Sequence, residues 1–152
     1  NFTINTALEA FFPGSDGESG GTSFNVSHAF MAPFSGSLRK IQFRAQNAAS
    51  EFVFRFYKFP ASIPGTPSAG DQVGFFSGSG GGYSGHQGIE FDIEKSEQRV
   101  KGGAKNSITP TGIFSFDPGD LLAISYQKIN GSNPNKVNTV LHLDYDTTSF
   151  IE

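Results

Sequence analysis

Glu51-Phe-Val-Phe-Arg-Phe-Tyr-Lys-Phe59 puts Phe52, Phe54 and Phe56 on one parity and Val53, Arg55 and Tyr57 on the other. A period of two places successive side chains on opposite faces of an extended strand. One face of this strand is therefore built to be buried, and three rings side by side need a thick apolar layer opposite. Each fully buried Phe stabilises by about 1.5–3 kcal/mol relative to exposure. The stretch specifies a β-sandwich with a phenylalanine core and carries no catalytic group of its own.

The same signal recurs outward from this strand. Thr22 to Phe30 alternates, with Phe24, Val26, His28 and Phe30 on one parity. Ile41, Phe43 and Ala45 alternate with Gln42, Arg44 and Gln46, while Leu38 is out of phase with them. That phase break predicts a β-bulge near Arg39-Lys40. Further strands are expected at Gln72–Ser77, Ile89–Glu94, Gln98–Lys101, Ile113–Phe116, Leu122–Tyr126 and Val137–Tyr145. Turn residues separate them: Pro60, Pro64, Gly65 and Pro67; Gly78 to Gly85; Gly102-Gly103; Asp117-Pro-Gly-Asp120; Asn130-Gly131; Asn133-Pro134. No segment holds a helical period, and Leu8 to Phe12 forms a single turn at most. The expected fold is all-β: a single-domain antiparallel β-sandwich of the jelly-roll type, with about eight to ten strands. Two four-stranded sheets fit that number. The chain divides into an N-terminal arm or edge segment, residues 1–21, and a β-sandwich domain, residues 22–152.

The totals exclude several classes. A chain of 152 residues is one domain by size and buries enough surface to need no staples. It has no cysteine, which rules out a disulfide scaffold and a thiolate metal site. The net charge of −3 argues against a nucleic-acid footprint. No run approaches the roughly 18 apolar residues of a membrane helix, so no membrane partner is expected. Asn1 rather than Met opens the chain, as in a processed product or a segment of a longer one. Glycine (19) and phenylalanine (17) are in excess and charge is scarce, which suits a surface packed against neighbours or a fold rich in turns.

No residue set reads as an active site. His28, His86 and His142 are far apart and lack ligand spacing, and His142 is expected to point outward. Glu90, Asp92 and Glu94 form an acidic row explained by the solvated face of a strand whose other face carries Ile89, Phe91 and Ile93. Asp144 and Asp146 are not followed by a calcium loop. The glycine-rich Gly78–Gly85 stretch lacks the Lys-Ser/Thr ending of a phosphate loop. No catalytic residue, metal or cofactor is expected. Candidate partner contacts are the apolar residues of the first segment (Phe2, Ile4, Leu8, Phe11, Phe12), the pair Phe75 and Phe76, and Tyr83 and His86 of the glycine-rich stretch.

One order of motifs goes further. It runs His28-Ala-Phe-Met-Ala-Pro-Phe-Ser-Gly-Ser-Leu38, then Phe52-Val-Phe-Arg-Phe-Tyr-Lys58, then Phe116-Asp-Pro-Gly-Asp-Leu-Leu-Ala-Ile124, and closes with Leu141-His-Leu-Asp-Tyr-Asp146. This order resembles small jelly-roll domains of tailed-phage virion proteins, found in capsid decoration or cement proteins and in fiber tips. It is similar, more loosely, to trimeric sandwiches of the tumor-necrosis-factor kind. The resemblance covers about half the chain and rests on fold-forming residues, so it carries architecture rather than a site. It implies a non-enzymatic virion component, a homotrimer bound to other capsid or fiber proteins, with residues 1–21 gripping a neighbour. A host-surface glycan is a further partner of such domains. The alternative is a carbohydrate-binding, lectin-like jelly-roll module with exposed aromatics and Ca²⁺ near Asp144 and Asp146.

Overall fold

The computed structural model describes residues 10–11, 29–45, 49–65, 68–79, 88–100, 105–132, 138–146 and 148. They form two antiparallel sheets packed face to face. In chain order the strands are β1 (Ala10–Phe11), β2 (Phe30–Met31), β3 (Gly36–Arg44), β4 (Ala49–Phe59), β5 (Gln72–Gly78), β6 (Gly88–Asp92), β7 (Glu97–Val100), β8 (Lys105–Ser107), β9 (Thr111–Gly112), β10 (Ser115–Phe116), β11 (Leu121–Gly131) and β12 (Asn138–Tyr145). A 3-10 turn, Ala69–Asp71, precedes β5, with Ser68 and Asp71 capping each other's backbone.

The first sheet runs β1-β11-β4-β5-β9, with β2 also on the outer edge of β11. The second runs β10-β3-β6-β7-β8, with β12 on the other side of β3. In both, a late strand returns to lie beside an early one: β11 beside β4, and β12 beside β3. This is the closure of a Greek key. The sandwich expected from the sequence is the fold observed. The two four-stranded sheets are not: among the described residues each sheet has six strands, because short strands add to the edges of the long ones.

The opening stretch behaves as its parity demands. Phe52, Phe54 and Phe56 are at most 2% exposed; Phe52 and Phe54 face Phe43 and Phe91 of the other sheet, and Phe56 stacks on Phe114. Leu122, Ile124 and Tyr126 extend this layer from β11, and Leu38, Ile41, Ile89 and Phe116 complete it from the second sheet. The predicted bulge is present. β12 pairs His142 with Lys40 and then Leu143 with Leu38, which skips Arg39. The extra residue is what lets Leu38 and Ile41, of opposite parity, both point into the core.

One of the expected turns holds and another does not. Asp117–Asp120 is a turn as expected, with Pro118 at its second position and Gly119 at φ +87 at its third. Asn130-Gly131 does not separate strands: β11 continues through both, and Gly131, at φ +92, pairs with Ala49 after two register shifts. The ladder to β4 is long enough there to hold the glycine in strand.

Candidate functional site

The bulge at Arg39 and the register of β3 fix what the second sheet shows to solvent. Lys40, Gln42 and Arg44 alternate with the buried Ile41, Phe43 and Ala45, so they line the outer face. Pairing then lays two complete rows across five strands. One row is His142, Lys40, Asp92, Glu97 and Ser107. The next is Val140, Gln42, Glu90, Arg99 and Lys105. Beyond them a shorter third row holds Asn138, Arg44 and Gly88.

The acidic row expected as a solvated strand face is only partly so: Glu90 and Asp92 lie on β6, Asp92 is buried, and Glu94 lies past the end of the strand. Lys40 Nζ lies 3.4 Å from Glu90 and 3.6 Å from Asp92. Gln42 Nε2 donates to Glu90 at 3.1 Å, and Asp92 Oδ1 accepts from the Lys95 amide at 3.0 Å. The Gln42 hydrogen bond, aided by Lys40, holds the Glu90 carboxyl below its ordinary range against the opposing effect of burial. Glu94 pairs with Arg39, and so does Asp144. Both partners raise the Arg39 guanidinium's pKa, the Asp144 hydrogen bond most. Asp146 accepts from the backbone and hydroxyl of Thr148, which lowers its pKa. Among the described residues no three His, Asp or Glu side chains are grouped to hold a metal ion.

The Gly88 row contains a gap in this face. Gly88 stands beside Arg44, and a Cβ added to it would meet nothing within 4 Å. The missing side chain opens a groove of about 620 Å³, within the size range of small-ligand sites. Its walls are Arg44 and Gln42 on β3, Glu90 on β6, Arg99 on β7, Lys105 on β8, and Asn138 and Val140 on β12. Arg99 and Lys105 both pair with Glu97 at 3.4 Å, and Arg44 has no ion-pair partner among the described residues.

The outer face of the first sheet carries fewer charges and mixes apolar with polar residues. Met31, Leu121 and Phe59 lie in one row and Ala123 and Tyr57 in the next. Ser125, Arg55 and Phe75 follow, then Gln127, Val53 and Ser77. Tyr57 and Ala123 are buried and form a small second cluster, while Met31 is 66% and Phe75 39% exposed.

The candidate contact residues are scattered by this geometry. Phe75 faces outward on β5, whereas Phe76 lies in the intersheet core with its ring 5.3 Å from Phe54 and 5.2 Å from Phe91. Phe11 lies in β1, opposite Ser125 on the edge of the first sheet, so this part of the first segment is an edge strand. Phe2, Ile4, Leu8, Phe12, Tyr83 and His86 lie outside the described residues, as do His28 and the start of the expected strand at Thr22. His142 is exposed, as its parity predicts. The groove residues were missed as a set. Gln42, Arg44, Glu90 and Arg99 each sit at outward parity, but parity along one strand cannot say which neighbours share a row.

The fold and its surfaces thus define a Greek-key β-sandwich with one charged, grooved sheet face and one sheet face that carries few charges. Compared with protein-family models, with curated proteins and with solved structures, the chain matches none.

Proposed function

We propose that this chain is a non-enzymatic structural module of a virion surface, a capsid decoration or fiber-tip domain that works by packing against copies of itself and neighbouring particle proteins. The observation that carries the reading is the inequality of the two sheet faces. The second sheet is covered by paired charges suited to water. Across the rows from Met31 to Gln127, the first sheet carries a single charged residue, Arg55, among Gln72, Gln127 and Ser77, and exposes Met31 and Phe75 beside half-buried Leu121, Phe59 and Val53 and a buried Tyr57. Exposed apolar side chains on a sheet face with few charges favour contact with a partner. Burial against a partner that binds only the folded chain stabilises it by mass action. The motif order set out above supplies the virion context.

The lectin-like alternative with Ca²⁺ gains no support from Asp144 and Asp146, which are engaged by Arg39 and Thr148. Sedimentation equilibrium tests the proposal. The chain is expected to associate to a trimer with rising concentration, and Phe75→Asp combined with Met31→Asp is expected to return it to monomer with its circular dichroism intact. A wild-type chain that stays monomeric at high concentration counts against assembly through this face. Density for the chain on the capsid lattice or at a fiber end, in images of an intact particle, would distinguish decoration from fiber tip.

A further inference from the structure

The groove over Gly88 is not used by the assembly reading, and its chemistry is specific. It gathers three cations, Arg44, Arg99 and Lys105, on a chain whose net charge is −3. Its wall carboxylate, Glu90, is engaged by Gln42 and Lys40, and Glu97 beside it pairs with both Arg99 and Lys105, which leaves Arg44 as the cation with no ion pair among the described residues. A local excess of positive charge on an acidic molecule selects for an anionic ligand. The remaining wall groups are planar amides, Gln42 and Asn138, with aliphatic Val140 alongside, 53% exposed.

An extended peptide is poorly served here. The floor is the middle of a sheet, where β3 is paired by β6 and β12 and β6 is paired by β3 and β7, so no main-chain ladder is open for strand addition. A sugar chain needs no such ladder. Its hydroxyls pair with guanidinium, amide and carboxylate groups, and its C–H surface packs on an aliphatic side chain. A guanidinium also takes a carboxylate in the bidentate geometry that adds both strength and orientation.

We propose that this groove binds an acidic saccharide, a sugar chain bearing carboxylates, with Arg44 as the main carboxylate partner and Arg99 and Lys105 supporting it. The site stands on the groove alone and holds whether or not the chain is a virion protein.

Calorimetric titration of the full chain tests it with four probes: trigalacturonate, an oligomannuronate, sialyllactose and a hyaluronan fragment, each beside a neutral oligosaccharide of the same length. At least one acidic probe is expected to bind, with its neutral counterpart about tenfold weaker or more, the size of one lost charge-assisted hydrogen bond. Arg44→Gln should weaken that probe about tenfold. Gly88→Val should abolish binding by filling the floor while leaving the melting temperature unchanged or higher, because the added side chain meets open space and a β-branched residue suits a strand. Failure of all four acidic probes overturns the proposal. So does binding that survives both substitutions, or inorganic sulfate displacing the probe at equal concentration, which would mark a simple anion site.

Discussion

Phe54 joins the two sheets through five rings. Its centroid lies 5.7 Å from those of Phe43 and Phe52, 5.5 Å from Tyr126, 5.3 Å from Phe76 and 5.2 Å from Phe91. Aromatic pairs at these separations add to the stabilisation that burial alone gives. Phe54→Ala should therefore cost about 3–5 kcal/mol of stability, as truncation of a large core ring does. Urea unfolding measures it; a midpoint close to wild type would show that the ring is not in the core. The abundance of glycine has a related cause. The inward face of β5 reads Gly74, Phe76, Gly78, and a Cβ at Gly78 would stand 2.6 Å from the Phe91 ring and 2.7 Å from the Phe52 ring. At Gly74 a Cβ would stand 2.8 Å from the Phe114 ring. Some of the glycine excess thus exists to make room for the phenylalanine excess, rather than to form turns.

At the scale of elements, the turn from Asp117 to Asp120 ties three segments together. The Asp120 carboxylate accepts from the amides of Asp117 at 2.8 Å and Ala61 at 3.2 Å. The Asp120 carbonyl accepts from Ala32, and the Ala32 carbonyl accepts from Gly119. Asp120 is 4% exposed, so its loss leaves amide donors without their acceptor. Asp120→Ala should destabilise by about 1–3 kcal/mol, and Asp120→Asn, which keeps one acceptor oxygen, by less. Thermal melts of the two variants beside wild type check the order. The β3–β6 pair gives a pH dependence. Glu90 titrates lower in the folded chain than its ordinary value of 4.5. Its contribution is therefore complete above that value and is lost as pH falls through the lower, folded value. The melting temperature should drop as pH is lowered below about 4.5, and Glu90→Gln should flatten part of that drop. An identical acid profile in the variant would remove Glu90 from the account.

For the whole molecule, one continuous core draws on both sheets, with Phe43, Phe91 and Leu38 from one and Phe54, Phe76 and Tyr126 from the other. Neither sheet has an inner face that could be left exposed while the other stays folded. Unfolding should be a single transition, with far-ultraviolet and near-ultraviolet circular dichroism and tyrosine fluorescence tracing the same denaturant curve. Separate midpoints would mean that the sheets unfold independently. The two outer faces have no such coupling. One can therefore serve assembly through apolar contact while the other keeps a charged groove open to a ligand.

Sequence alone determined the inward faces. Phe52, Phe54 and Phe56, the phase break that placed a bulge at Arg39, and the Asp-Pro-Gly-Asp turn were all readable, because each depends on spacing along a single strand or turn. Which residues lie side by side depends instead on which strands are neighbours and in what register, and those pairings join positions as distant as Gln42 and Val140. Parity also could not separate Phe75 from Phe76, since adjacent residues always point to opposite faces and only the packing says which face is inside. The groove over Gly88 was hidden for the same reason. It is made of outward residues from five strands and of one side chain that is missing, and only the folded sheet brings them together.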